Sequence, residues 1–171
     1  WHLDAPRARG LAFVEGAVTA LPLGVGGGPW APVPTRGEAP GSAAATALGG
    51  DHLWVLDPDG ALWALDLDTD IWSTPAASPG PRLHHASMAF AEGELFLWGG
   101  CPSPRCARYE RRGWRLRDDT WSPVEADGEA PPAGPTRVLF DPVDRQWIIA
   151  GFSHLGLDLR AIDLDGVLWR D

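Results

Sequence analysis

The stretch RLHHASMAFAEGELFLWGG, residues 82–100, predicts two β-strands joined by a turn at Glu92-Gly93. Each apolar run is short, and glycine and proline recur so often along the chain that no helix of a dozen residues is expected. Short apolar runs bounded by turn residues are typical of strands in a sheet. This hairpin therefore predicts a fold built from many short strands.

Four tryptophans at similar positions indicate that the chain repeats itself. Trp30 lies in GPWAPVP, Trp72 in DIWSTPA, Trp121 in DTWSPVE and Trp169 in VLWRD, at spacings of 42, 49 and 48 residues. A period of this length is that of one four-stranded propeller blade. The sequence therefore predicts an all-β fold, a β-propeller of about four four-stranded blades, either closed alone or part of a larger propeller.

The internal order of the units supports about sixteen strands. The second unit reads as AAATAL (43–48), HLWVLD (52–57), ALWALDL (61–67) and a strand bearing Trp72. In the third unit, CARYE (106–110) is the predicted third strand, and the first unit opens with a short strand at residues 1–5. We expect one domain over residues 1–171, with blades near 1–36, 37–80, 81–133 and 134–171.

The third unit resembles a kelch repeat. It has Arg82 and His84-His85 before the first strand, Gly99-Gly100 after the second and Trp121 late in the unit. The resemblance implies a framework role for a histidine, a glycine pair where backbones crowd the hub, and a tryptophan packed between blades. The other units depart from this pattern, and LWALDLDTDIW and LRAIDLDGVLW also resemble quinoprotein-type propeller repeats, which are the second choice.

Composition and charge exclude several classes of function. The net charge of −9 argues against a nucleic-acid binder, because phosphate backbones are held by concentrated positive charge. No apolar run approaches the ~20 residues that span a bilayer. The nucleophile elbow, the P-loop, H-E-x-x-H and the dinucleotide fingerprint are absent from the sequence. With Tyr109 as the one tyrosine, the chain does not match the kelch-type copper radical oxidases, so we predict no catalytic residue.

The sequence predicts no metal and no cofactor. His84 and His85 are adjacent, so on a strand they point to opposite faces and do not easily share one ion. The acidic stretches DPDG (57–60), DLDTD (66–70) and DLDG (163–166) lack the glycine and glutamate spacing of an EF-hand calcium loop. We interpret all three stretches as hairpin turns.

Cys101 and Cys106 flank PSPR in the loop after Gly100. The loop can fold back and join the two sulfurs in a disulfide, and the alternative is two unpaired cysteines in a reducing compartment. A zinc site is disfavoured because no second pair of ligands has the usual spacing. A disulfide would favour a secreted or extracytoplasmic location, which the sequence otherwise leaves unknown.

The segment RCARYERRGWRLR, residues 105–117, holds six of the 14 arginines of an acidic chain. It is either a solvated pair of strands, or a docking patch for a carboxylate-rich or phosphate-bearing partner. The predicted partner-binding residues are Arg105, Arg108, Arg111, Arg112 and Arg115.

The predicted function is protein interaction. A propeller presents loops from every blade on a stiff support, so the chain is expected to act as an interaction or scaffold module, in a larger chain or assembly or alone. An open blade edge would also permit self-association. The alternative is a glycan- or small-ligand-binding propeller, in which Trp54, Trp63, Trp98 or Trp147 stacks on sugar rings. An enzyme with a site built from rim loops is the third choice.

Overall fold

A computed structural model describes residues 1–24, 26–77, 79–125, 131, 134–153, 156–163 and 169–170 of the chain. These residues form sixteen strands and no helix. The first eight strands are β1 His2–Asp4, β2 Arg9–Val14, β3 Ala17–Pro22, β4 Ala31–Pro32, β5 Ala45–Gly49, β6 His52–Leu56, β7 Leu62–Asp66 and β8 Ile71–Ser73. The last eight are β9 His84–Ala91, β10 Glu94–Cys101, β11 Gly113–Arg117, β12 Thr120–Val124, β13 Thr136–Asp141, β14 Gln146–Ser153, β15 Gly156–Asp163 and β16 Trp169–Arg170.

The strands form four separate sheets, each made from four consecutive antiparallel strands. The orders are β1-β2-β3-β4, β5-β6-β7-β8, β9-β10-β11-β12 and β13-β14-β15-β16, which we call blades 1 to 4. The first strands of successive blades lie against one another, so they form the hub. The prediction of an all-β, four-bladed propeller is confirmed.

Three apolar clusters join the blades in sequence. We call the face of a blade toward its predecessor the leading face, and the face toward its successor the trailing face. Leu11 and Val18 of blade 1 pack on Leu53 and Val55 of blade 2. The trailing face of blade 2 packs on Met88 and its neighbours in blade 3. Blade 3 in turn packs on blade 4 through a cluster that contains Phe96, Trp98, Val138, Trp147, Ile149 and Ile162. The core is therefore a row of blade junctions.

The glycine pair of the third unit lies within β10, near its end, and not after it as predicted. Gly99 and Gly100 have φ of 72° and 84°, in the left-handed region that side chains other than glycine rarely adopt. A Cβ added to Gly100 would lie 2.9 Å from the carbonyl oxygen of His84. Close approach of β10 to β9 therefore requires glycine at this position.

The predicted third strand of blade 3 is wrong. CARYE (106–110) lies in a loop, and the third strand is β11, which begins at Gly113. Pro102 and Pro104 cannot donate to a ladder, and a turn at Cys106 carries the chain away from the sheet. The strand therefore forms only after the loop has returned to the blade.

Within the described residues, the structure contains no helix with the length and apolar character needed to cross a membrane.

Candidate functional site

The loop between β10 and β11 is anchored to blade 3. Cys101, the last residue of β10, is joined to Cys106 by a disulfide whose Cα atoms lie 5.4 Å apart. Further along, the backbone N–H of Glu110 donates to the carbonyl of Gly100 at 2.7 Å. These bonds hold the arginine-bearing loop against the end of its strand. A disulfide is compatible with an extracellular location, since such bonds persist in oxidising compartments.

A cavity of about 610 Å³, the rim pocket, opens beside this loop between blades 3 and 4. Blade 3 supplies one wall from the start of β9 and from the loop. Blade 4 supplies the other wall from the start of β13 and from β14. The lining residues are His85, Ala86, Pro104, Arg105, Cys106, Tyr109, Pro135, Thr136, Arg137 and Ala150.

The polar lining of the rim pocket favours an anion. Arg105 of blade 3 and Arg137 of blade 4 are both among the lining residues, and no carboxylate is among the described residues that line the pocket. His85 has φ of 55°, and its Nε2 lies 3.1 Å from the carbonyl oxygen of Pro104. Tyr109 contributes a phenolic hydroxyl, a hydrogen-bond donor and acceptor. Planar guanidinium groups pair with carboxylates and phosphates through two parallel hydrogen bonds.

The structure divides the predicted partner-binding arginines into two groups. Arg105, Arg108, Arg111 and Arg112 are exposed on the loop or where it returns to the sheet, and Arg105 lines the rim pocket. The Nε of Arg111 donates to the carbonyl of Pro131 at 3.0 Å, which ties the loop to the linker between blades 3 and 4.

Arg115 lies apart from that exposed group. Its side chain is 12% exposed in β11, and its Nε lies 3.6 Å from Oε1 of Glu94, which is buried. Arg117 donates to Oε2 of the same carboxylate, with Nη2 at 2.8 Å. Both guanidinium groups therefore neutralise Glu94 within blade 3.

Sequence reasoning missed two residues of the rim pocket. The resemblance implied a framework role for one of His84 and His85, and Arg137 stood alone in the sequence, outside the arginine-rich segment. Arg137 reaches the pocket because the first strand of blade 4 begins next to the loop of blade 3. Both residues lie near the start of the first strand of a blade, and that position is the sequence signal that could have identified them.

A second cavity of about 600 Å³ lies at the hub and is lined by the inner strands of all four blades. His2 Nε2 lies 2.8 Å from Oγ1 of Thr46. Burial, helped by the positive charges of the chain's amino group and of Arg137, lowers the pKa of His2 to about 4. His2 is therefore neutral at pH 7. Ala86 and Arg137 line this central cavity as well as the rim pocket, so the two spaces are neighbours.

The acidic stretch at 66–70 forms a turn. Oδ1 of Asp66 accepts from the backbone N–H groups of Asp68 and Thr69 at 3.0 and 2.8 Å. The N–H of Thr69 is the main reason that the pKa of Asp66 is lowered. In the part of the chain that the structure describes, no group of three or more His, Cys, Asp or Glu side chains is placed to hold a metal ion.

The tryptophans considered for sugar stacking are engaged within or between the blades. Trp98 and Trp147 are buried at the junction of blades 3 and 4. Trp54 stacks on Phe90 with ring centroids 5.9 Å apart. Trp63 Nε1 donates to Oδ2 of Asp57 at 3.2 Å. Of these four side chains, the two at the blade 3–4 junction are closed to any ligand.

Comparisons with known proteins support the fold and give no family. No family model matches the sequence, and no curated protein matches it significantly. The chain is similar to a solved structure described as "Structure of YjhT", with a TM-score of 0.57 and 15% identity. The match covers 75% of this chain and 50% of that one, so this chain spans about half the length of the matched structure. The similarity concerns the propeller fold, and kelch membership stays a prediction.

Proposed function

We propose that this chain is a kelch-like propeller that serves as a protein-interaction module, with the rim pocket and its loop as the docking site for an acidic segment of a partner. The observation that carries the proposal is that Arg105 and Arg137 both line a pocket without a lining carboxylate among the described residues. In a chain of net charge −9, this local excess of positive charge favours one kind of partner.

The anchored loop favours specific binding of a partner, in addition to electrostatic attraction. Because the disulfide and the bond from Glu110 to Gly100 hold the loop to β10, little conformational entropy is lost when a partner binds. Arg108, Arg111 and Arg112 are exposed beside the pocket and extend the positive surface. Arg115 is directed toward Glu94, so its predicted role is the least supported of the five arginines.

The test is the affinity of a fluorescein-labelled hexaglutamate peptide, measured by fluorescence anisotropy at several salt concentrations. Arg105→Gln and Arg137→Gln should each weaken binding about tenfold, because a charged hydrogen bond contributes about 1.5–3 kcal/mol. Arg36→Gln is the matched control, since Arg36 is exposed and lines neither cavity. Wild-type affinity should fall as salt rises, because salt screens exposed charges over about 8 Å at 0.15 M.

A broader variant tests the loop as a surface. Changing Arg105, Arg108, Arg111 and Arg112 together to Ser should abolish binding of the peptide while the melting temperature changes little, because exposed substitutions usually have small effects on stability. Failure of the wild-type chain to bind the peptide, or equal binding by all variants, would contradict the proposal. A collapsed melting temperature would mean that these arginines are structural.

A second candidate function, binding of a glycan or another small molecule, is favoured by the central cavity. Trp1 is 81% exposed and lines the cavity, so its ring is free to stack on a sugar face. A glycan array probed with the wild-type chain and with Trp1→Ala tests this function. Binding lost in the variant would support it, and a blank array with folded protein would rule it out.

A further inference from the structure

His85 lies in a distorted part of β9, at the edge of the rim pocket. Its backbone φ is 55°, and Gly100 on the neighbouring strand β10 has φ of 84°, so both residues are left-handed. A left-handed backbone is uncommon for a residue other than glycine, and such outliers concentrate at functional sites. The His85 side chain is exposed and belongs to the lining of the pocket. It is therefore placed to act on whatever the pocket binds.

The hydrogen bond between His85 and the loop determines which ring nitrogen can gain a proton. Nε2 of His85 lies 3.1 Å from the carbonyl oxygen of Pro104. A carbonyl oxygen has no proton to give, so Nε2 carries the hydrogen and donates it. In the neutral ring Nδ1 is then the unprotonated nitrogen, and it takes up the proton when the ring becomes charged. Protonation therefore adds a positive charge without breaking the bond that holds the loop.

The charged and titratable groups that surround His85 in the pocket are basic or phenolic. Arg105 and Tyr109 come from the loop, and Arg137 comes from β13. On its own strand, the ring of His84 lies 6.3 Å from that of His85. No carboxylate lines the pocket in the part of the chain that the structure describes. Within this lining, the charge of a protonated His85 is balanced only by a bound anion.

We propose, on the basis of the proposed function of the rim pocket, that His85 makes this site pH-sensitive, so that it binds an acidic segment more tightly when Nδ1 is protonated. Histidine is the side chain that ordinarily changes charge between pH 5 and 8. A charged donor also forms a stronger hydrogen bond, so protonation holds Pro104 and the adjacent Arg105 more firmly. The coupling is reciprocal, because a proton that favours the anion is itself favoured by the anion. Binding of the acidic segment is therefore accompanied by proton uptake.

Isothermal titration calorimetry with unlabelled hexaglutamate at pH 6 and pH 8 tests the proposal. Glutamate ordinarily titrates near pH 4.3, so the peptide stays charged at both values. The wild-type chain should bind about fourfold more tightly at pH 6, since coupling between two bound species is commonly about fivefold or more. His85→Gln keeps an amide N–H donor but gains no charge, so its affinities at the two pH values should be nearly equal. His84→Gln is the matched control, since His84 is not among the described lining residues, and it should keep the wild-type ratio.

A second measurement needs no variant. The titration of the His85 ring, followed by NMR in the wild-type chain, should move to higher pH when hexaglutamate is bound, as reciprocal coupling requires. A wild-type affinity that is equal at both pH values, or a pH dependence that His85→Gln leaves unchanged, would overturn the role of His85 while the pocket remained a binding site. Failure of the wild-type chain to bind the peptide at either pH would instead contradict the proposed function, and the role of His85 with it.

Discussion

Phe96 and Trp147 stack across the junction of blades 3 and 4, with ring centroids 5.1 Å apart and planes inclined by 20°. Both side chains are fully buried, so the pair lies within the apolar core rather than at its edge. The two residues come from the second strands of adjacent blades and are 51 positions apart in the sequence. The stack is therefore one of the direct contacts that attach blade 4 to blade 3.

Removing one ring should weaken the packing of blade 4 on blade 3. We expect Trp147→Ala to lower the free energy of unfolding by about 3–5 kcal/mol, the usual range for truncating a buried aromatic side chain. Urea unfolding followed by circular dichroism measures this loss. Trp1→Ala, at an exposed position, should leave stability nearly unchanged. Similar losses in the two variants would show that the junction contributes little.

The pH dependence of stability should follow His2. Its pKa is lowered to about 4 in the folded chain, while an unfolded histidine titrates near 6.5. The unfolded state therefore binds the proton first, and stability present above pH 6.5 is lost as pH falls toward 4. Linkage gives a loss of about 2.5 kcal/mol between pH 7 and pH 4.5. His2→Gln should remove this part of the loss, as measured by urea unfolding at both pH values. An equal loss in the variant would contradict the assignment to His2.

Glu94 should be essential for blade 3. The carboxylate is buried and interacts with Arg115 and Arg117, so Glu94→Gln leaves a largely buried Arg115 without its counter-charge. Breaking a buried ion pair on one side destabilises a protein by about 3–5 kcal/mol, and we expect the lower end because Arg117 is half exposed. Thermal and urea unfolding measure the effect. Glu92→Gln breaks the exposed pair with Arg145 and should change stability little.

Loss of the disulfide should affect binding more than folding. Cys101 and Cys106 are five positions apart, and so short a closed loop stabilises a fold by about 2 kcal/mol at most. The double variant Cys101→Ser, Cys106→Ser should remain folded but bind the hexaglutamate peptide more weakly, because the loop must then be ordered on binding. Urea unfolding and anisotropy on the same sample separate the two effects. Unchanged affinity would mean that the loop is held by its other contacts.

The architecture could be predicted because its signals are local. Turns such as Glu92-Gly93 and the spacing of the repeated tryptophans depend on residues close together in the chain, and these set the strands. The loop that replaces the predicted strand at 106–110 was missed because alternation of side chains there resembles a strand, whereas the prolines and the disulfide determine the path.

The rim pocket could be predicted only in part, because it depends on how blades stack. The cysteine pair and the arginine cluster were visible in the sequence. That Arg137 and Arg105 line the same pocket was not visible, since this depends on the position of blade 4 relative to the loop of blade 3. The separation of Arg115 from the exposed arginines likewise depends on strand register, which brings β11 beside β10 and its buried Glu94.

Each blade is a contiguous stretch of chain, since every sheet pairs four consecutive strands. A blade can therefore complete its hydrogen bonds as soon as its own fourth strand has been synthesised, without waiting for residues still to come. Blade 2 can then pack on the trailing face of blade 1, so we expect the blades to fold in the order in which they are synthesised. Pairing between consecutive strands also favours faster folding than pairing between strands far apart in the sequence. Insertion or deletion of one whole repeat would consequently alter the number of blades while leaving the pairing within the others intact.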